Sequence, residues 1–309
     1  MILCCGEALI DMIPYPTELG RDGFVPHSGG ASFNTAIAIG RLGGTVGMLT
    51  GLSSDMFGDQ LRTDLKNSNV DASHVAASDR NTTLAFVKLT DGHASYSFFD
   101  ENSAGRMLNV QDFPAVSDQV DAMLFGGISL ACEPGADAYA ALMAEAGKTR
   151  VVMLDPNIRT GFIEDEARYR DRLNTMIGLS DIIKTSDEDL DWLIPDSVPM
   201  RDKVQSLLDA GPSIIILTRG SEGATAYLKN GAEVSVPSEK ATVVDTVGAG
   251  DTFNAGVLAK LQELGALSKS SIASMDDETL RAALAFAARV AAVTVSRSGA
   301  NPPWKHELV

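Results

Sequence analysis

The chain has 309 residues, 45% of them hydrophobic, enough for one large domain with a small appendage or for two domains. Its formal net charge of −16 and pI near 4.6 oppose binding to nucleic acid and to anionic membrane surfaces, so any anionic substrate has to be attracted locally. No apolar run approaches the roughly 20 residues that span a bilayer, and the N-terminal Met1-Ile-Leu-Cys-Cys-Gly-Glu7 lacks a basic segment; the expectation is a cytoplasmic protein with no nucleic-acid and no membrane partner.

Read from the N-terminus, the first expected strand is 2–5, where the adjacent Cys4 and Cys5 must point to opposite faces. With Cys132 they make an odd count without C-x-x-C spacing, which argues against a disulfide framework or a zinc site, and His27, His74, His93 and His306 are scattered. Residues 12–27 are rich in Pro and Gly, while 82–88 and 95–99 alternate like a half-exposed antiparallel ribbon around the turn Thr90-Asp-Gly-His93. Those segments read as a small β-sheet projecting over the edge of the main domain, or as a plain surface hairpin.

The remainder alternates between the two periodicities. Helical spacing at 34–42, 60–66, 136–146, 169–179, 187–193 and 203–208 is interleaved with apolar strands at 45–49, 122–125, 151–155, 181–184 and 214–218, and 224–228 reads as a hairpin partner nearer the edge. The fold class expected is α/β, a central mostly parallel sheet flanked by helices on both faces, with a small β-sheet lid. The main domain is expected to comprise 1–11, 33–80 and 111–309, and the small β-sheet 12–32 with 81–110. Ligands of open α/β sheets sit outside the carboxyl ends of the strands. Asp11, Asp155-Pro-Asn-Ile-Arg159, Lys184-Thr-Ser-Asp-Glu-Asp189 and Thr218-Arg-Gly220 all follow expected strands, so polar residues gather on one rim.

The most informative stretch is Asp245-Thr-Val-Gly-Ala-Gly-Asp-Thr-Phe-Asn-Ala-Gly256. Phe253, Val257, Leu258, Leu261 and Leu264 recur on one helical face, which places Gly248, Ala249 and Gly250 at a helix N-terminus. Unpaired amides and the positive end of the helix dipole favour an anion such as phosphate there. Asp251 is either a helix N-cap or a general base for a hydroxyl nucleophile. A dinucleotide fingerprint needs a third glycine where Phe253 stands, and a Walker loop needs Gly-Lys-Ser/Thr, which is absent.

This stretch resembles the C-terminal signature of the ribokinase-like (PfkB) family of carbohydrate kinases. Gly29-Gly-Ala-Ser-Phe-Asn-Thr-Ala36, Gly51-Leu-Ser-Ser-Asp-Met-Phe-Gly58 and Leu217-Thr-Arg-Gly-Ser-Glu-Gly223 resemble the family's sugar-binding segment, its following strand and turn, and its nucleotide-side strand end. The resemblance implies phosphoryl transfer from Mg-ATP to a monosaccharide's primary hydroxyl, a lid that covers the sugar, and a homodimer through that lid. It implies Asp251 as base, Gly248, Ala249 and Gly250 as the anion-binding turn, and Arg159 on the transferring phosphoryl group, although Arg159 also suits a salt bridge with Glu164 or Asp165.

By the same resemblance Asp11, Gly30 and Asn34 bind sugar hydroxyls, against a solvated turn residue for Asp11 and a helix cap for Asn34. Phe98, Phe99 and Arg106 lie within reach of the sugar or belong to dimer packing. Thr218, Arg219, Gly220 and Gly223 line the ATP side, and a helix around 283–293 walls the adenine or simply packs the core. Where the family commonly carries Asn-x-x-Glu, this chain has Ser186-Asp-Glu-Asp189, so Asp189 is the candidate for water-mediated Mg2+ binding; Asp245 and the Val247 carbonyl match positions that hold a monovalent cation such as K+ in relatives. Gly6-Glu-Ala-Leu-Ile-Asp11 is most similar to fructokinases, making D-fructose the expected substrate, with 2-keto-3-deoxygluconate and ribose as alternatives. A catalytically silent sugar- or nucleotide-binding protein is the alternative of a different class.

Overall fold

The computed structural model describes residues 1–18, 20–90 and 93–308. In chain order the first half holds strands β1 (Ile2–Cys5), β2 (Leu9–Pro16) and β3 (Asp22–Gly29), helix α1 (Ala31–Arg41), β4 (Val46–Leu49), β5 (Gly51–Ser53), α2 (Met56–Asn67), β6 (Val70–Asp71), β7 (Ala76–Ser78), β8 (Leu84–Thr90), β9 (His93–Phe99) and β10 (Ala122–Gly126). There follow α3 (Gly135–Ala146), β11 (Val151–Asp155), α4 (Glu166–Leu179), β12 (Ile182–Ser186), α5 (Asp187–Leu193), α6 (Met200–Ala210), β13 (Ile214–Thr218), β14 (Ala224–Leu228), β15 (Glu233–Val236), α7 (Ala249–Glu263), α8 (Lys269–Ala273) and α9 (Asp277–Val295).

Nine strands form the main sheet in the order β15-β14-β13-β12-β11-β10-β1-β4-β6. From β6 to β13 the neighbours are parallel, and β14 and β15 add an antiparallel edge. The central strands are apolar on both faces because helices cover both. Ile2 and Cys4 enter a core shared with α1, α7 and α9, whereas Leu3 and Cys5 enter a second core shared with α3, α4 and α6. Cys4 and Cys5 thus face opposite ways, and all three cysteines are buried free thiols.

The second sheet, in the order β3-β2-β8-β9, is built from the segments expected to form a small separate sheet. Its outer pairs are antiparallel and its central pair, β2 with β8, is parallel. In the expected turn Thr90-Asp-Gly-His93, Asp91 and Gly92 lie outside the described residues.

Three expectations need correction. Asp11 does not follow a strand of the main sheet; it lies within β2 of the second sheet. Helix α1 begins at Ala31, three residues before the expected start, because Gly30 takes the N-cap position. Helix α7 is not one-sided: from Asp251 to Leu261 only Lys260 escapes full burial, since α1 and α9 pack on it from either side. The crossing with α9 is close enough that a Cβ on Gly256 would stand 2.5 Å from Ala287 Cα. Among the described residues no helix is long and apolar enough to cross a membrane.

Candidate active site

The chain leaves β1 and β10, adjacent in the sheet, toward opposite faces: β1 leads through β2 and β3 to α1, and β10 leads to α3. Such a divergence opens a crevice at the carboxyl ends of the strands. A cleft of about 390 Å³ occupies it, with Glu7, Gly30 and Asn34 on one wall, Gly127 and Arg159 on the other, and Asp251 at its inner end.

The N-terminus of α7 closes that end. Gly248 is the N-cap, in the left-handed region at φ 77°, and a Cβ there would stand 2.7 Å from Ala300 Cβ, so the turn excludes a side chain on both counts. Ala249 donates its N–H to Thr246 O, and the N–H groups of Gly250 and Asp251 have no protein acceptor among the described residues. Orphan donors of this kind suit an anion at a helix N-terminus.

Asp251 occupies the third position of α7, so it is not the N-cap. Its Oδ2 accepts from Asn34 Nδ2 at 2.9 Å, and its backbone oxygen accepts from Thr35 Oγ1 at 3.1 Å. Burial pushes its pKa up to about 7; Asp155 and Glu7 add to the rise, while the Asn34 hydrogen bond and Lys184 oppose it. A raised pKa makes Asp251 a stronger base than a solvated aspartate. Asp11 reaches the same cleft from β2, in space left by the missing side chain of Gly29, and burial raises its pKa to about 6.

Arg159 lines the cleft, and among the described residues its side chain hydrogen-bonds only its neighbour's carbonyl, Ile158 O, at 3.0 Å. Neither rival partner engages it, because Glu164 pairs with Arg106 at 2.8 Å and Asp165 caps α4 through the Arg168 amide. From the second sheet Phe98 also lines the cleft and meets Phe162 edge-on at 4.3 Å between ring centres, whereas Phe99 is exposed on the other face of β9. Arg106 stands apart from the cleft, held by Asp100, Glu133 O and Glu164.

A second, mostly apolar groove of about 330 Å³ adjoins the first, and Thr246, Ala249 and Gly250 border both. Thr218, Gly220 and Gly223 line one side of it, and Ala288, Ala291 and Ala292 of α9 the other. Ala283, Leu284 and Ala287 of the same helix pack in the core, so α9 packs on one face and lines this groove with another. Arg219 does not reach this groove: its guanidinium bonds Thr225 Oγ1 at 3.3 Å and pairs with Glu222 at 3.5 Å.

Asp189 lines neither cavity. Its Oδ1 accepts from the Ile158 amide at 3.1 Å, and Ser186 caps α5 by accepting from the Asp189 amide at 3.0 Å. Burial and the nearby Asp155 raise its pKa. The Asp245 carboxylate braces its loop, accepting from the amides of Val247 at 3.0 Å and Gly299 at 2.9 Å, and Val247 borders the first cleft. Among the described residues no three carboxylate, histidine or cysteine side chains converge into a metal-binding group.

Sequence reasoning left Lys184, Asp155 and Asn254 without a role. Lys184 is buried, lines the cleft, and donates to Asp155 Oδ2 at 3.1 Å, and Asn254 donates to the same oxygen at 2.6 Å. A Cβ on Gly250 would stand 3.0 Å from Lys184 Nζ, so the ammonium lies directly against the glycine turn. The available signal was a lysine ending the apolar strand Asp181-Ile-Ile-Lys184, a costly charge to bury unless it is paired.

Comparison with known proteins agrees with this geometry. A fructokinase of Rhizobium leguminosarum bv. trifolii is 50% identical over 285 residues, covering 91% of this chain and 86% of that protein. The crystal structure of a Xylella fastidiosa fructokinase with bound ATP superposes with a TM-score of 0.90 at 29% identity, covering 99% of this chain and 97% of that one. A Vibrio cholerae O395 fructokinase bound to fructose, ADP and calcium gives 0.83 at 26% identity, covering 97% and 94%. The family profile described as pfkB family carbohydrate kinase matches residues 1–307, and the chain belongs to that family.

Proposed function

We propose that this chain is a fructokinase, transferring the γ-phosphoryl group of Mg-ATP to the primary hydroxyl that gives fructose 6-phosphate. The observation that carries the reading is the position of Asp251 and the glycine turn, at the border of a polar cleft sized for a monosaccharide and an apolar groove suited to a nucleotide. Fructose sits between Asp11, Gly30, Asn34 and Phe98. ATP lies along Thr218, Gly220 and Gly223 with its base against α9, and Arg219 supports that rim from behind. The lid, residues 12–32 and 81–110, excludes water from the sugar and carries a homodimer contact.

In the reaction Asp251 accepts the hydroxyl proton as the oxygen attacks phosphorus in line, and the bond to the leaving ADP oxygen breaks. The amides of the turn, with Arg159 and Lys184, face the charge on the transferred group. Mg2+ would arrive with the nucleotide and neutralise phosphate charge; Asp189, set back from both cavities with one oxygen engaged by the Ile158 amide, would be the residue to hold it through water. Asp245 and the Val247 carbonyl offer hard oxygen ligands to K+.

The cleft favours a neutral sugar. Glu7, Asp11 and Asp251 all line it, and a substrate carboxylate would add a fourth acid to a cleft whose cations, among the described residues, are Arg159 and Lys184. An ADP-release assay over fructose, ribose and 2-keto-3-deoxygluconate tests the reading. Fructose should give the highest kcat/KM; turnover of the keto acid without turnover of fructose would reassign the substrate, and no turnover of any sugar would return the chain to a silent binding protein.

A further inference from the structure

Glu7 follows β1 at the point where the chain parts from β10, and the reaction described above gives it no task. It is 8% exposed, and no Lys, Arg or His among the described residues pairs with it. A buried carboxylate without a cation is expensive and needs a compensating set of donors. Glu7 finds its donors on opposite walls of the crevice: Oε1 accepts from the Ala31 amide at 2.8 Å, at the start of α1, and Oε2 from the Ser129 amide at 3.2 Å, in the turn after β10. Both oxygens receive N–H groups, as an ionised carboxylate requires.

The surrounding backbone is built around this side chain. A Cβ on Gly30 would stand 2.7 Å from Glu7 O, and one on Gly127 would overlap the Glu7 carboxylate itself. Each wall therefore carries a glycine where it approaches Glu7. One turn beyond Gly30, whose carbonyl accepts from the Asn34 amide at 2.8 Å, Asn34 extends to Asp251.

We propose that Glu7 is a positioning residue for the sugar: it clamps the two walls of the cleft together where β1 and β10 diverge, and so holds Gly30 and Asn34 in register with Asp251. The proposal rests on the kinase reading. Burial raises the pKa of Glu7 and the Ala31 and Ser129 amides oppose that rise; in its ionised form Glu7 also places a negative charge near the base. The other charged groups around the cleft are Asp11, Asp155, Arg159 and Lys184, and behind Glu7 a small cavity brings Asp100, Arg106 and Cys132.

Two variants separate reach from charge. Glu7→Asp keeps the charge but is one methylene too short to bond both walls, and Glu7→Gln keeps the length but loses the charge and sets an NH2 against one of the amides. Both should lower kcat/KM for fructose by on the order of 10-fold to 10²-fold with KM for ATP unchanged. Only Glu7→Gln should move the acid limb of the kcat/KM profile to lower pH, since removing a neighbouring negative charge lowers the pKa of Asp251. Folded variants with wild-type fructose kinetics and pH profile would overturn the proposal, and so would loss of folding in both, which would assign Glu7 to the core alone. Wild-type enzyme runs alongside: its failure to phosphorylate fructose would overturn the kinase reading and this proposal with it, whereas normal wild-type turnover confines any failure to Glu7.

Discussion

At the scale of single residues, the environment of Asp251 does more than its identity. Burial lifts its pKa to about 7, from a reference value near 3.9. Only the ionised form can accept a proton, so kcat/KM for fructose should fall as pH drops below about 7, and more steeply below about 6 where Asp11 also protonates. A pH–rate profile that stays flat from about pH 5 to about pH 8 would contradict the assignment. The same shift acts on stability with a definite sign. An acid with a raised folded-state pKa favours the fold while protonated, a contribution present below about pH 4 and lost as pH rises through about 7. Asp251→Asn should therefore raise the melting temperature at pH 8 more than at pH 5, the expected mark of a charge kept buried for function.

At the scale of elements, α7 is held by α1 and α9, and its accuracy sets that of the anion-binding turn. A methyl on Gly256 would meet backbone at Ala287, which has no flexible end to yield. Gly256→Ala should lower stability by about 1–3 kcal/mol in chemical denaturation despite its better helix propensity. Helix α9 offers a cleaner functional test, because Ala291 lines the groove and is only partly buried. Ala291→Phe should raise KM for ATP by roughly 10-fold or more while leaving KM for fructose unchanged; an equal rise in both would show that the groove does not hold the nucleotide.

The elements also mark what could be read in advance. Apolar strands such as 151–155 and 214–218 identify themselves by continuous hydrophobicity, and the turn at Gly248 by its glycines, because the cause of each is local. The strands β2 and β3 were visible only as a Pro- and Gly-rich interruption, since exposed strands bury too little to show a clean period. Asp11 was consequently placed on the wrong sheet while its place in the cleft was anticipated. Lys184, Asp155 and Glu7 lie far apart in sequence and acquire their roles only where β1, β10, β11 and β12 end side by side, which no spacing rule reveals.

At the scale of the whole molecule, two cavities meet at one turn. The main sheet supplies both the apolar groove and the floor of the cleft, and the second sheet adds Asp11 and Phe98 from above. Net charge, at −16, runs against an anionic nucleotide, so under the proposed function the attraction comes from the α7 terminus, Arg159 and Lys184. The central claim is that Asp251 takes the proton at the border of the two cavities while the neighbouring amides hold the phosphoryl group. Its most direct test is fructose phosphorylation by Asp251→Asn, with ATP affinity measured on the same protein. The account predicts turnover lower by about 10²-fold or more with ATP binding retained; an Asp251→Asn enzyme that turns over fructose at the wild-type rate would contradict it.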